Sequence, residues 1–323
     1  MRSVLRVRGA ARGVVLRTAL GIMVGAACIG GCSFGPGQAG AAAFVNGTEI
    51  PVEQVQSQLT TVLTKEGDQA RAQLAADHQL DDLSRKIITV KIRHELTAIT
   101  ARRARLTADQ SQVSRLINEG GGAQSASKGT IFDADGYRQR AADKLLAAQL
   151  GLSALRNSAV TVDYTTADTR TAAKAKVDEL SRVGAKRARQ LIDADVRAGK
   201  DAVIGKRIVA ADDPIFATTP AFGVPEGTVV AFQLADTTPW LIMVIKNRAN
   251  RGVQPSDNAP APEQIDPTVL EAIGLRQLAQ VGEEVGVRLS PRYGKWDPVS
   301  LQAVANENET AGFLAPLRAT PRT

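Results

Sequence analysis

The chain has 323 residues, 44% of them hydrophobic but only 4% aromatic, with 40 basic against 33 acidic side chains and a formal charge of +7. Five of the basic residues, Arg2, Arg6, Arg8, Arg12 and Arg17, crowd the N-terminus with no acid among them; setting that segment aside leaves 35 against 33, a charge of +2. That balance excludes a nucleic-acid-binding protein, and so few aromatics favour helices packed through small aliphatic side chains over a β-sandwich core.

The arginines precede the apolar run "ALGIMVGAACIGG" (19–31), which is too short for a spanning helix and ends just before Cys32. Residues 1–31 therefore read as a signal peptide. "SFGPGQAGAAA" (33–43) is Gly- and Ala-rich, and residues 32–42 are expected to form a flexible tether. The mature chain from Cys32 has 292 residues, enough for two modest domains.

"AAAFVNGTEI" (41–50) is a short hairpin pattern around Asn46-Gly47, because both central positions of such a turn need φ > 0. Two strands this short need further partners. From Pro51 the period becomes helical, with Val52, Val55, Leu59 and Val62 on one face. Residues 64–80 are polar and compatible with helix. A long helix follows, carrying Leu83, Ile87 and Val90 beside Ile88, Ile92, Leu96 and Ile99, and ending in "ARRARL". Thr107 with Gln110 suggests a capping box for a helix bearing Val113, Leu116 and Ile117. "EGGGAQSASKG" (119–129) reads as a loop, and Asp133 as the start of another helix.

Near residue 160 the pattern changes. "VTVDYTT" (160–166) alternates as a strand does, two helical segments follow (169–183, 185–199), and a turn-rich stretch (212–227) leads to the strands "TVVAFQL" and "PWLIMVIKNR". A Pro-rich linker (253–264), a helix (266–284) and the extended run "VGVRLSPRYGKWD" close the ordered chain; residues 306–323 lack periodicity and are expected to be disordered. An orphan hairpin at one end and a lone strand at the other are natural partners. Their pairing would make residues 159–252 an insertion between two parts of one helical domain, 43–158 and 265–305.

Two resemblances follow from these residues. "IGGC" resembles a bacterial lipobox, which implies a lipid-anchored N-terminus at Cys32 on the extracytoplasmic face of the cell membrane. The V-N-G-x-x-I hairpin, the helix "LSRKIITVKIRHELTAITARRARLTADQSQVSRLI", "YRQRAADKLLAAQL" and "RYGKWDP" resemble extracytoplasmic chaperones of the SurA/PrsA type. The fold implied is α+β and mostly helical: a SurA-like N-terminal domain closed by a C-terminal helix and strand, with an inserted parvulin-like α+β domain. Parvulins are prolyl isomerases that use histidines on the first and last strands. Here those strands offer Tyr164, Thr165, Trp240 and Leu241, and the two histidines of the chain, His78 and His94, lie in the helical domain. The implied function is binding of unfolded or exported polypeptides without a catalytic residue; an active isomerase or a dedicated-partner scaffold is the alternative.

No cofactor, metal or nucleophile pattern stands out. His78 and His94 are sixteen apart with no helical i, i+4 partner. The acidic pairs Asp81-Asp82 and Asp212-Asp213 suit a helix start and a turn, and the glycines at 120–122 lack the lysine of a phosphate loop. The remaining candidate is apolar surface. Leu83, Ile87, Ile88, Ile92, Leu96 and Ile99, with Val113, Leu116 and Ile117, either are buried on both faces or line a groove for client segments.

Overall fold

The computed structural model describes residues 40–77 and 79–319; the signal segment, Cys32, most of the tether, His78 and residues 320–323 lie outside them. The opening hairpin is β1 (Ala41–Val45) and β2 (Thr48–Pro51). Its turn residues take the required positive φ, 52° at Asn46 and 76° at Gly47. The missing partner comes from the far end of the chain: β7 (Val287–Leu289) pairs antiparallel with β1, Phe44 opposite Arg288, giving the order β2-β1-β7.

Five helices follow the hairpin. They are α1 (Val52–Ala76), broken at Gly67 where φ is 82°, α2 (Leu80–Arg103), α3 (Gln110–Glu119), α4 (Ala123–Ala126) and α5 (Ala134–Asn157). Two local expectations are corrected. The cap of α3 is Asp109, whose carboxylate accepts from the Ser111 N–H at 2.8 Å, because a carboxylate two residues before a free N–H is a better acceptor than Thr107 further back. The segment 119–129 is also more than a loop: Gly121 and Gly122, both at positive φ, turn the chain sharply enough to start α4. Asp133 caps α5 as expected, accepting from Gly136 N–H at 2.7 Å.

The second unit is a five-stranded antiparallel sheet of order β10-β5-β6-β3-β4. It comprises β3 (Ala159–Ala167), β4 (Ala202–Val209), β5 (Thr228–Phe232), β6 (Trp240–Ala249) and β10 (Gly312–Pro316), with α6 (Arg170–Ser181) and α7 (Ala185–Arg197) over one face. The expected disorder after residue 306 is therefore corrected. A 3-10 turn at Glu307–Glu309 leads into β10, which pairs with β5. Phe313 lies on Trp240, ring centroids 5.6 Å apart, and the Arg170 guanidinium stands 4.6 Å from the Phe313 ring. A five-residue strand held by such distant partners shows no periodicity of its own.

Between the two sheets runs α8 (Pro267–Val285), followed after β7 by the small ribbon β8 (Lys295–Asp297) and β9 (Gln302–Val304). α8 crosses α5 backbone against backbone. A Cβ added at Gly151 would lie 1.8 Å from the Leu270 carbonyl oxygen, and one at Gly274 would lie 1.8 Å from that of Ala147. No rotamer change relieves a clash with main chain. Gly151→Ala or Gly274→Ala is expected to destabilise the fold by about 3 kcal/mol or more, at or beyond the upper end for overpacked cores; thermal unfolding followed by circular dichroism measures it, while Gly40→Ala, with open space around it and no positive φ, is expected to shift stability by no more than about 1 kcal/mol.

Candidate functional site

α2 has three faces. Its acidic first turn (Asp81, Asp82) and basic last turn (Arg102, Arg103) both complement the helix dipole. Ile87, Ile88, Ile92 and Leu96 are fully buried in the core shared with β1, α1 and α8, and Leu83 and Ile99 pack partly buried against it. Val113 and Ile117 are buried in a satellite cluster with Ala123 and Ala141. Of the apolar residues expected to form a client surface, only Leu116 is exposed, at 38%. The doubly apolar helix is thus apolar because most of it is covered on both sides, and the expected surface is corrected to core except at exposed Leu116 and at half-buried Leu83, which also lines a depression, while half-buried Ile99 packs against the core.

The face of α2 that the depressions reach carries Leu83, Lys86, Val90, the adjacent pair Arg93 and His94, and buried Thr97, one helical turn apart. Three adjoining depressions run along it. The first, about 580 Å³, lies between α1 and α2 and is lined by Val62, Leu74, Leu83, Lys86 and Ile131. The second, about 480 Å³, lies on the side of the ribbon, between Arg85, Val90 and Gln302–Val304. The third, about 200 Å³, is set deeper among Val90, Arg93, His94, Phe132, Arg140 and Leu275. Asp82 and Lys86 line the first two, Val90 and Arg93 the second and third, and Ile131 all three, so they form one groove.

Each wall is fixed from a distance. Lys65 on α1 donates to the carbonyls of Ser127 and Thr130, at 3.0 and 3.1 Å, and to that of Phe132, while Gln58 donates to Ile131 O at 2.8 Å; together they hold the loop before α5. On the other side Ala303 N–H donates to Thr89 Oγ1 at 2.9 Å, and Arg93 donates through Nε to Leu301 O at 2.8 Å and through Nη2 to Ser300 O at 3.1 Å.

The deep end is charged. His94 Nδ1 lies 3.0 Å from both carboxylate oxygens of Asp143, and its Nε2 is 2.8 Å from Gln139 Nε2. The bond to Asp143 raises the His94 pKa above the ordinary imidazole value, against the opposing effect of burial. Arg93 is lowered to about 10, first by burial and then by the charges of Arg276 and Arg140, with Glu271 acting the other way. Glu271 is buried and paired with Arg140 at 2.5 Å and Lys144 at 3.7 Å.

A separate pocket of about 200 Å³ lies on the sheet face opposite α6 and α7. Tyr164, Ile208, Phe216, Leu241 and Met243 line it, with Lys206 and Asp213 at its edge. Tyr164 and Met243 are register partners across β3 and β6. Thr165 and Trp240, offered by the sequence for the same place, are buried, Trp240 in the core beneath α6 and α7. Among the described residues, no helix is long and apolar enough to cross a membrane, and no three His, Cys, Asp or Glu side chains gather as a metal would require.

Residues 5–149 match the family described as the SurA-like N-terminal domain. The match takes in β1, β2, α1 to α4 and most of α5, and with them most of the groove. No curated protein matches the chain.

The sign of the His94 linkage is definite. A pKa raised in the folded state stabilises the fold fully below the unfolded value of about 6.5, and that contribution is lost as pH rises through the folded value. His94→Gln is therefore expected to lower the thermal midpoint at about pH 5.5 more than at about pH 9. Equal losses at both pH values, measured by scanning calorimetry, would remove this pair as a source of pH-dependent stability.

Proposed function

We propose that this protein is a lipid-anchored extracytoplasmic holdase that binds unfolded or exported polypeptides near the membrane. The observation that carries the reading is the groove along α2, most of which lies inside the SurA-like domain. Its floor mixes apolar side chains with charged ones, and its walls are held by hydrogen bonds to main-chain carbonyls. Such a surface binds without requiring one sequence: apolar client side chains contribute about 25 cal/mol per Å² buried, less the cost of ordering the client. The anchor rests on the lipobox at Cys32. No cofactor enters the reading.

The reading has two measurements. Aggregation of two unrelated unfolded clients, followed by light scattering, is expected to be suppressed at near-equimolar ratio. Val90→Asp, which places a charge where two of the three depressions meet, is expected to reduce suppression several-fold with an unchanged circular dichroism spectrum. Suppression of neither client would shift the reading to a scaffold with one dedicated partner. Mass spectrometry of the membrane fraction is expected to find a diacylglyceryl group at Cys32, and Cys32→Ala to release the protein; an unlipidated mature chain overturns the anchor.

The apolar pocket on the sheet is where the alternative reading, a prolyl isomerase, would have to place its active site, in a unit whose element order follows that of a parvulin. Its order of strand, two helices, strand and two closing strands supports a parvulin-like origin. Tyr164 and Leu241, which stand where the resemblance implies histidines, both line this pocket. A phenol and an isobutyl group do not reproduce an imidazole network. Proline-limited refolding of a model protein is expected to proceed at its uncatalysed rate, and acceleration at stoichiometric concentration would reinstate the enzyme.

A further inference from the structure

The deep end of the groove holds more positive charge than its own carboxylates answer. Three guanidinium groups, Arg93, Arg140 and Arg276, stand close enough for the other two to act on Arg93, and only Glu271 opposes them there. Glu271 is already engaged by Arg140 and Lys144. Arg276, which does not line the cavity itself, donates to Val299 O at 2.6 Å and has the carboxylate of Asp297 to answer its charge, so the cations left to the cavity are Arg93 and Arg140. The hydrogen bonds of Arg93 go to two main-chain carbonyls, which occupy its Nε and Nη2 and leave Nη1 unassigned. Asp143, the remaining acid of the cavity wall, is taken up by His94. Beside these cations the wall is apolar: Val90, Ile131, Phe132 and Leu275.

We propose that this cavity is a carboxylate-binding subsite that takes the terminal residue of a client polypeptide, its carboxylate on Arg93 and Arg140 and its side chain against Phe132 and Leu275. A guanidinium presents its N–H groups in a planar fork that suits a carboxylate. The volume of about 200 Å³ is below the roughly 300–1,000 Å³ of small-molecule and cofactor sites, and suits one residue of a chain whose remainder leaves through the wider groove. Phosphate alone would use the cations and leave the apolar wall uncovered. An internal Asp or Glu side chain shares the carboxylate chemistry and is the second source the test must separate. The inference rests on the chaperone reading and adds to it a preference for one kind of client end.

The test is fluorescence anisotropy on the full chain in detergent with three fluorescein-labelled hexapeptides. One ends in a phenylalanine with a free carboxylate, one is identical but amidated, and one is amidated with an internal glutamate. The free peptide is expected to bind at least tenfold more tightly than its amidated twin, and Arg140→Gln to abolish that difference. Recovery of tight binding by the internal glutamate supports the site with a side-chain source. Should Arg140→Gln fail to fold, Val90→Trp, which narrows the cavity without changing its charge, is expected to remove the same preference. Equal affinity for the free and amidated peptides, or displacement of the free peptide by inorganic phosphate at concentrations where acetate has no effect, overturns the proposal. Light scattering is read in parallel: a chain that still suppresses aggregation but ignores the carboxylate overturns this inference alone, whereas loss of both removes the chaperone reading as well.

Discussion

The crossing of α5 and α8 at Gly151 and Gly274 is the contact on which the rest of the fold depends. Each glycine faces the other helix's main chain, with no room for a Cβ on either. A crossing so close is available only where the side chain is a hydrogen atom, since ordinary helix pairs stand 8–10 Å apart. α5 runs directly into β3, and α8 carries the chain back after the sheet. The same two helices also contribute to two cores. Leu150 and Leu278 belong to the core beneath the hairpin, and Ala154, Leu155 and Ile273 to the core beneath the sheet. The inserted unit is therefore fused to the helical body through continuous helices rather than hung from a linker.

The segment 287–316 performs a complementary task. β7 completes the first sheet, β9 is tied to α2 through Thr89, and β10 completes the second. The turn between them is organised by Asp297, a fully buried carboxylate that accepts from the N–H groups of Val299, Ser300 and Ala311 and from the Ser300 hydroxyl. A buried charge is tolerable when its lone pairs are filled in this way. These bonds bend the chain away from the first sheet and onward to the second.

What could be read in the sequence was local or strongly periodic. The Asn46-Gly47 turn, the long helices, strands β3, β5 and β6 and the Asp133 cap each show their cause within a few residues. Strands β4 and β10 do not. Gly205 sits in the middle of β4 at φ 71°, its N–H donating to the buried carboxylate of Asp163 at 2.6 Å, which interrupts the alternation that marks a strand. The apolar double face of α2 was visible, but whether it was covered depended on α8 and β1, hundreds of residues apart in the chain. The groove was hidden for the opposite reason. Lys86, Arg93 and His94 read as an ordinary solvated face until residues 129–132 and 302–304 are placed beside them.

Arg93 shows why wall and floor of that groove cannot be separated. Its guanidinium is buried enough to lower its pKa to about 10, yet at that value it remains a cation at neutral pH. The desolvation of a buried cation must be offset, and the Leu301 and Ser300 carbonyls that do so are also the start of the ribbon forming the wall. Removing the charge would loosen the wall; removing the wall would strand the charge. Hydrogen bonds of this kind pre-organise the groove, which lowers the ordering cost that any binding to it would carry on this side. The same bonds leave part of the guanidinium facing the cavity, so the group that builds the groove is also one of those placed to meet what enters it.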